Sequence, residues 1–486
     1  MSIVNDEQII KVLKQYNPWW QIPSAIKEES KPHRRLAYYE AYRMLTHNTI
    51  RRFVVLFGVR RVGKTTIMYQ VIEQLINEGV DPKNILYVTF DNPILKLISA
   101  HKVLSIYEEL HSLEGFEYIF FDEIQYTDNW ELWMKVIYDS KKEIRMLATG
   151  SASPILEKGS TDSGTGRWTI LKIPTMSFYE YCLLLNINVP ELPKDLRLTQ
   201  LAKMGLNELD NVMSCFIPLQ DHFNRYLTIG GFPELVLSDD DFYAQRMLRE
   251  DVADKVIKRD VLSLFNVRSP LLMEKLFLYL CLNSSEIFNA ATAAKELENI
   301  TVPTIENYLN ALEMSNLIYL AKPINVGNKG ALKGRPKIYI ADPAIRNAVL
   351  MIDDILSDER ELGIIVETAV YKHMISFYQN TPAQLGYFRK AKDNQKEVDV
   401  VVELPRQKIL CEVKYRNNSH IPESDGIVEL CKDEKSKVTN AFIITKNLND
   451  YGITRHKTIT PIFRMPALVF LYILGKTEAE GNNGKL

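Results

Sequence analysis

FVVLFGVRRVGKTTIMYQ occupies residues 53–70. Its first five residues, Phe53 to Phe57, form a continuous apolar run, the pattern of a strand buried on both faces. Gly58, four further residues, and then Gly63, Lys64 and Thr65 follow, and a helical pattern comes after them. This is the strand–loop–helix context in which a Gly-x-x-x-x-Gly-Lys-Thr stretch cradles phosphates. The glycines let backbone N–H groups turn toward the phosphates, Lys64 neutralises the β- and γ-phosphates, and the Thr65 hydroxyl ligates Mg²⁺. At ordinary residue frequencies about 0.02 such matches are expected by chance in this chain. A plain glycine turn between core elements therefore does not account for it. The expected nucleotide set in the loop is Gly58, Arg61, Gly63, Lys64, Thr65 and Thr66, with ATP and Mg²⁺ as cofactors.

A second stretch, FEYIFFDEIQ (116–125), runs four apolar residues, Tyr118 to Phe121, into Asp122 and Glu123. Adjacent acids at the end of a buried strand are costly unless a metal or water uses them. Asp122 is expected to hold Mg²⁺ through water, and Glu123 to polarise the attacking water. A strand simply ending in solvent is the plainer reading, and the P-loop upstream argues against it. NILYVTFD (84–91) reads as another buried strand. IRMLATGSAS (144–153) is a fourth, ending in Thr149, Gly150 and Ser151. Thr149 is a candidate for sensing the γ-phosphate; a helix cap at Ser151 or Ser153 serves the pattern equally well. The order strand, P-loop, helix and three more strands predicts a doubly wound parallel sheet with ligands at the strand carboxyl ends.

The rest of the composition narrows the class. With 486 residues the chain is expected to hold two to four domains. A net formal charge of −2 gives no global basic field, so any nucleic-acid contact must come from a local patch. Five scattered cysteines without a CxxC pair exclude a zinc ribbon or a disulfide framework and suit a reducing cytoplasm. The N-terminus shows no apolar core of signal-peptide length. The run MPALVFLYILG (465–475) is too short to span a bilayer, so no membrane partner is expected.

GVRRVGKTT (58–66), FFDEIQ (120–125), TGSAS (149–153) and TGRWTILKIPTMSFYEY (165–181) together resemble the ATPase domain of a prokaryotic AAA-type, STAND-like P-loop family, joined there to a C-terminal domain of uncharacterised function. The resemblance covers most of residues 35 to 185. It implies an additional-strand ATPase whose catalytic glutamate is Glu123, and a homo-oligomer. It makes Arg167 a catalytic candidate, contacting nucleotide from the same or a neighbouring subunit, with Arg259 a similar one. A lone arginine is more often a solvated surface charge. The same family carries a Gly-Gly-Phe-Pro segment like IGGFPELVL (229–237), which implies a hinge there.

Further on, an Ala-rich helical stretch, a turn and a second helix with apolar Ile305, Tyr308, Leu309 and Leu312 precede two strands around a Gly-rich loop. This reads as a helix-turn-helix with a wing. Lys329, Lys333, Arg335 and Lys337 in the wing segment are the expected DNA contacts, with Lys322 beside them. Glu306 and Glu313 on the second helix oppose a phosphate groove, so a winged helix used for protein packing stays open.

NQKEVDVVVELPRQKILCEVKY (394–415) forms two strand patterns around a Pro-containing turn. The spacing alone is uninformative, since roughly three such Asp…[Asp/Glu]-x-Lys matches arise by chance. On paired strands, however, Glu412 and Lys414 share a face, and Asp399 can turn the same way. This resembles the PD-(D/E)xK nuclease fold. The match implies Asp399 and Glu412 as Mg²⁺ ligands, Lys414 as the group that positions water, and Glu367 as an outer acid. Val398 stands where that pattern has proline. The plainer alternative is a cross-strand ion pair on a solvated face.

The expected organisation is α/β: a helical leader (1–48), a P-loop ATPase domain with a doubly wound parallel sheet (49–184), a helical connector or lid (185–284), a winged-helix module (285–350), a small α/β nuclease-like domain (351–475) and a disordered tail (476–486). The expected function is an ATP-hydrolysing, DNA-associated ATPase with a nuclease-like effector. The alternative is a regulatory switch whose C-terminal domains bind DNA or protein without cutting; a chaperone-like ATPase is a third reading.

Overall fold

The computed structural model describes residues 4–150, 166–188, 191–193, 195–262, 265, 267, 269–297, 300–324, 334–352, 354–390 and 393–481, with 259, 260 and 393–395 described by backbone alone. The chain divides into two compact units, Met1–Pro174 with Arg259–Asn266, and Thr175–Lys258 with Val267–Leu486.

In the first unit, the apolar run at 53–57 becomes β1 (Phe53–Phe57), every residue of it buried. It lies inside a parallel sheet with β2 (Ile85–Thr89), β3 (Glu117–Asp122), β4 (Ile144–Gly150) and β5 (Trp168–Lys172), in the order β2-β3-β4-β1-β5. β4 is inserted between the P-loop strand and the strand ending in Asp122. Its register, Leu56 opposite Thr149 and Phe57 opposite Gly150, brings all three strand ends to one edge.

The N-terminal leader belongs to this unit's core. The helix Asp6–Tyr16 starts with a capping box from Asn5 and Gln8 and buries Ile9, Val12 and Leu13. After it, Asn17 clamps the outer strand β2: its side chain donates to the Tyr87 carbonyl (2.8 Å) and accepts from the Tyr87 N–H (2.6 Å). The Trp19 and Trp20 indoles donate to the Ile85 carbonyl. The leader thus satisfies backbone groups that an edge strand would otherwise expose.

In the second unit, a single sheet of eight strands runs β12-β13-β11-β10-β9-β8-β6-β7. Its members are β6 (Ile318–Pro323), β7 (Lys337–Ile340), β8 (Gln384–Lys390), β9 (Asp393–Leu404), β10 (Gln407–Lys414), β11 (Asn440–Thr445), β12 (Gly452–Ile453) and β13 (Ile462–Pro466). The boundary expected at 350 falls within this sheet. β6 joins β8 in parallel through Lys322–Gly386 and Pro323–Tyr387, and a Cβ on Gly386 would collide with the Lys322 carbonyl oxygen. The two expected helices are present as Ala290–Glu296, capped by Asn289, and Val302–Met314, capped by Thr301. The long helix Glu359–Tyr378 follows.

Gly230 and Gly231, expected as a hinge, are close-packed within this unit. A Cβ on Gly231 would collide with the Met176 backbone, and one on Gly230, whose φ is +72°, with the Asp342 carboxylate. The expected tail begins inside the helix Ala467–Ala479, where Thr477 is buried; residues 482–486 lie outside the described residues. Among the described residues no helix is long and apolar enough to cross a membrane.

Candidate functional site

The first site is built at the carboxyl edge of the parallel sheet. Gly58 leaves β1 where a Cβ would collide with the Ile173 carbonyl oxygen, and Ile173 itself donates to the Phe57 carbonyl (2.6 Å). Glycine is therefore required here by the continuation of β5. Arg61 (φ 64°) and Gly63 (φ 95°) both take left-handed backbone, the second at no steric cost and the first under strain. Gly63 opens the helix Lys64–Asn77 without any side-chain cap, so the first-turn N–H groups are available to an anion. Lys64 is buried, and its ammonium donates to the carbonyls of Gly58 (2.7 Å) and Val59 (3.1 Å).

Across the edge, the Asp122 carboxylate gathers three hydroxyls. Thr65 donates to it at 2.8 Å, Tyr87 at 2.9 Å, and Thr149 donates to its other oxygen. Thr149 also accepts the Glu123 N–H (2.9 Å), so one hydroxyl ties both acids to β4. Glu123 has left-handed backbone (φ 52°), and the Gln125 amide donates to its carboxylate. Burial pushes the Glu123 carboxyl above the usual range, against the pull of Lys64. Thr65 and Asp122 offer hard oxygens side by side, a donor pair that fits Mg²⁺ completed by phosphate oxygens and water. Thr66 lies in the first turn of the same helix, partly buried.

Two groups at this edge escaped the sequence reading. Arg35 donates to the carbonyls of Val62 (2.9 Å) and Pro174 (2.8 Å), bracing the loop from the leader. Tyr87 reaches Asp122 from β2; a phenolic hydroxyl inside a buried strand was the available signal.

Arg167 requires a correction. It immediately precedes β5, and its carbonyl accepts the Phe53 N–H (3.0 Å) at the amino edge of the sheet. Its guanidinium forms a two-pronged pair with Asp139 (3.0 and 3.2 Å). The P-loop lies at the opposite edge, roughly 16 Å away at the rise of a five-residue strand, so Arg167 does not serve the nucleotide edge of its own chain. The Arg259 side chain, Ser151 and Ser153 lie outside the described residues.

The second site lies in the eight-stranded sheet, and it brings Glu367, Asp399, Glu412 and Lys414 into one neighbourhood. The Asp399 N–H points to the Glu412 carboxylate (3.4 Å), and the Val413 N–H donates to the Asp399 carboxylate (2.9 Å). Lys414 pairs with Glu412, with Asp425 at 3.9 Å. The unexpected member is Lys337. It is 3% exposed, and its ammonium contacts Glu367 at 2.7 Å, Glu397 at 2.9 Å and Asp399 at 3.0 Å. Tyr339, two residues on, donates to Glu367 (2.8 Å). Lys337 is therefore not a wing cation facing phosphate, because burial among carboxylates removes it from the surface. Of the other expected DNA contacts, Arg335 is exposed, as is Lys322, while Lys329 and Lys333 lie outside the described residues.

The charges follow this packing. Burial pulls the Lys337 and Lys414 ammoniums down, yet both end above their usual range because the neighbouring carboxylates outweigh it. Burial, then Asp399, pushes Glu367 up to about 7 against Lys337. Burial and Asp399 likewise raise Glu412, whereas Asp399 ends low because Lys337 and Lys414 outweigh its burial. As arranged, these residues do not fit a divalent cation: Lys337 takes one oxygen each of Glu367 and Asp399, the Val413 N–H takes the other Asp399 oxygen, and Lys414 is paired with Glu412. Among the described residues no group of three or more His, Cys, Asp or Glu side chains is disposed to hold a metal ion.

Comparison with known proteins bears on the first site. Residues 50–182 match a family model described as an AAA domain. Residues 220–355 and 362–465 match two further models, each described only as a domain of unknown function. An uncharacterised protein of Methanocaldococcus jannaschii is 27% identical over 401 residues, 81% of this chain and 82% of its own. One of Haemophilus influenzae is 23% identical over 391 residues, 79% of this chain and 87% of its own. Among solved structures, the Aeropyrum pernix ORC1 protein in complex with DNA is similar with a TM-score of 0.31 and 14% identity, covering 68% of this chain and 96% of that one. A Thermotoga maritima RuvB structure gives 0.27 and 15%, covering 58% and 86%. The AAA-domain match and the parallel sheet with its P-loop support an AAA-type ATPase.

Proposed function

We propose that the chain hydrolyses ATP in a Mg²⁺-dependent reaction at the carboxyl edge of the five-stranded sheet, and that the cycle switches a DNA-associated C-terminal region. The observation that carries this is the Thr65–Asp122 contact at 2.8 Å beside an uncapped helix N-terminus. Thr65 and Asp122 would hold Mg²⁺, which when bound draws charge from the β- and γ-phosphates. The loop N–H groups bind phosphate oxygens, and Lys64 exchanges the Gly58 and Val59 carbonyls for them. Glu123 orients a water and takes its proton as the water oxygen bonds to the terminal phosphorus and the bond to the bridging oxygen breaks. Its raised affinity for protons suits that task. Because Thr149 holds both acids, loss of the γ-phosphate is felt directly by β4. Glu123→Gln is expected to keep ATP binding and lose roughly 10²–10⁴-fold in turnover; normal hydrolysis by that variant would show that the base is misassigned.

DNA association rests on exposed Arg335 and Lys322 at the base of the segment that carries Lys329 and Lys333. Neutralising Lys333 and Arg335 together should weaken binding and lower the salt slope by about 2; unchanged binding removes this segment from the proposal. For the carboxylate strands, the non-cutting reading is favoured over a cleaving effector by one observation, the Lys337 ammonium seated on Glu367, Glu397 and Asp399. Supercoiled plasmid incubated with the protein and Mg²⁺, with and without ATP, should stay intact. Nicking that Asp399→Ala abolishes would restore the nuclease.

A further inference from the structure

The disagreement between the carboxylate centre and a divalent ion has a specific cause, and the cause lies in a different part of the sequence. Lys337 is 62 residues upstream of Asp399, on β7 of the expected wing. Its ammonium sits between oxygens of the helix Glu359–Tyr378 and of β9, at 2.7 to 3.0 Å. Those are the lengths of charge-assisted hydrogen bonds. Carboxylates approach Mg²⁺ at about 2.0–2.1 Å, and they cannot do so around a nitrogen that already occupies the space between them.

β7 is not a free arm. On one side it pairs antiparallel with β6 from Ala321–Lys337 to Ile318–Ile340. On the other side it exchanges backbone bonds with the segment before the helix pair: Ser285 N–H to the Ile338 carbonyl (2.7 Å), Ile338 N–H to the Glu286 carbonyl (3.1 Å) and Phe288 N–H to the Pro336 carbonyl (2.8 Å). Tyr339 stacks on Tyr371 with ring centroids 4.1 Å apart and bonds Glu367 through its hydroxyl. A strand bonded on both edges and anchored by the ring two residues on fixes the backbone that carries Lys337. Withdrawing its buried ammonium would cost three ion pairs.

We propose that Lys337 is the resident cation of this centre, an intramolecular ammonium in the place of a divalent metal ion. The centre then joins the wing strand to the carboxylate strands electrostatically and takes up no Mg²⁺. This rests on the nuclease-like reading of residues 351–475.

The test is a titration of the nucleotide-free, full-length protein with Mn²⁺, read by electron paramagnetic resonance, in wild type, Asp399→Asn, Lys337→Ala, Lys337→Gln and Lys337→Ala/Asp399→Asn. Wild type and Asp399→Asn should bind Mn²⁺ alike, because the P-loop edge is common to both. A Lys337 variant should gain one further site, at least about tenfold tighter than any wild-type binding there once the buried positive charge is gone, and the added Asp399→Asn change should abolish it. Where removal of the ammonium loosens the fold, the gain is read instead as a rise in the unfolding midpoint with Mn²⁺ larger than the one wild type shows from its P-loop edge. Asp399-dependent Mn²⁺ binding by wild type overturns the proposal. So does the failure of both Lys337 variants to respond to Mn²⁺ in binding and in unfolding. That failure would leave the non-cutting reading standing, whereas Asp399-dependent nicking by wild type would remove both.

Discussion

Replacing Asp342 with alanine should destabilise the second unit severely, and the structure sets the size of the effect. The Asp342 side chain is fully buried and accepts from Lys372 (2.8 Å), Thr175 (2.6 Å), the Gly231 N–H (3.3 Å) and the Ala344 N–H (3.0 Å). The last of these caps the helix Pro343–Leu350. Lys372 is 2% exposed and also meets the Met176 carbonyl (3.0 Å) and the Tyr226 hydroxyl (2.8 Å), both neutral acceptors. Stranding that ammonium costs about 3–5 kcal/mol, and losing the cap about 1 kcal/mol more. The total, about 4–6 kcal/mol, is a quarter or more of a domain's usual stability of about 5–15 kcal/mol. Asp342→Ala/Lys372→Met removes the stranded charge, so the double variant should be less damaged than the sum of the single ones by about 1–3 kcal/mol. All five tryptophans, at 19, 20, 130, 133 and 168, lie in the first unit, so their emission is blind to this change. Amide hydrogen exchange of peptides spanning 226–236 and 365–378 is the appropriate readout. A loss under about 1 kcal/mol in Asp342→Ala, or strict additivity in the double variant, would refute the reasoning, since both depend on the pair being buried and coupled.

His373 gives a pH prediction: the Phe178 N–H points at its Nε2 (3.0 Å) and its Nδ1 meets the Ala369 carbonyl (2.7 Å), so the neutral ring with the proton on Nδ1 satisfies both. Burial, then Lys372, lowers its pKa to about 3, so the unfolded chain binds the extra proton first as pH falls; its contribution is complete above about 6.5 and declines by about 1.4 kcal/mol per pH unit below that. Exchange-measured stability of the second unit should therefore fall less steeply between pH 6.5 and 4.5 in His373→Gln than in wild type. Gly58→Ala should abolish nucleotide binding, because its Cβ meets the Ile173 carbonyl, whereas Gly63→Ala should cost about 1–2 kcal/mol from its φ of +95° alone, with no close neighbour to displace; equal nucleotide affinities for the two variants by calorimetry would contradict this distinction.

The P-loop edge was legible because its chemistry is contiguous. A strand, a loop and a helix within eighteen residues place Gly58, Gly63, Lys64 and Thr65 together, and a second strand ends in Asp122 and Glu123. The amino-edge position of Arg167 was legible in principle, since a residue just before a strand of a parallel sheet must lie opposite the loops that follow the strands. Lys337 was not legible. It closes a run of glycines and cations that reads as solvated surface, and its three partners lie on other elements. Only pairing on both edges of β7 turns the side chain inward. The leader's clamp on β2 was not legible for a related reason: Asn17 binds a strand 70 residues away, a distance at which periodicity carries no information.

The eight-stranded sheet also decides how this chain can be dissected. A fragment beginning after 350 would keep Asp399, Glu412 and Lys414 and look complete by motif. It would nonetheless lose β6 from the edge of β8, leaving Gly386 and Tyr387 open to pairing with a foreign strand, and it would leave Glu367, Glu397 and Asp399 without their counter-charge. Such a fragment should be prone to aggregation, and any metal it took up would reflect the cut and not the protein. The smallest transplantable block starts at Thr175, because Thr175, Met176, Tyr226 and Gly231 complete the buried Asp342–Lys372 pair.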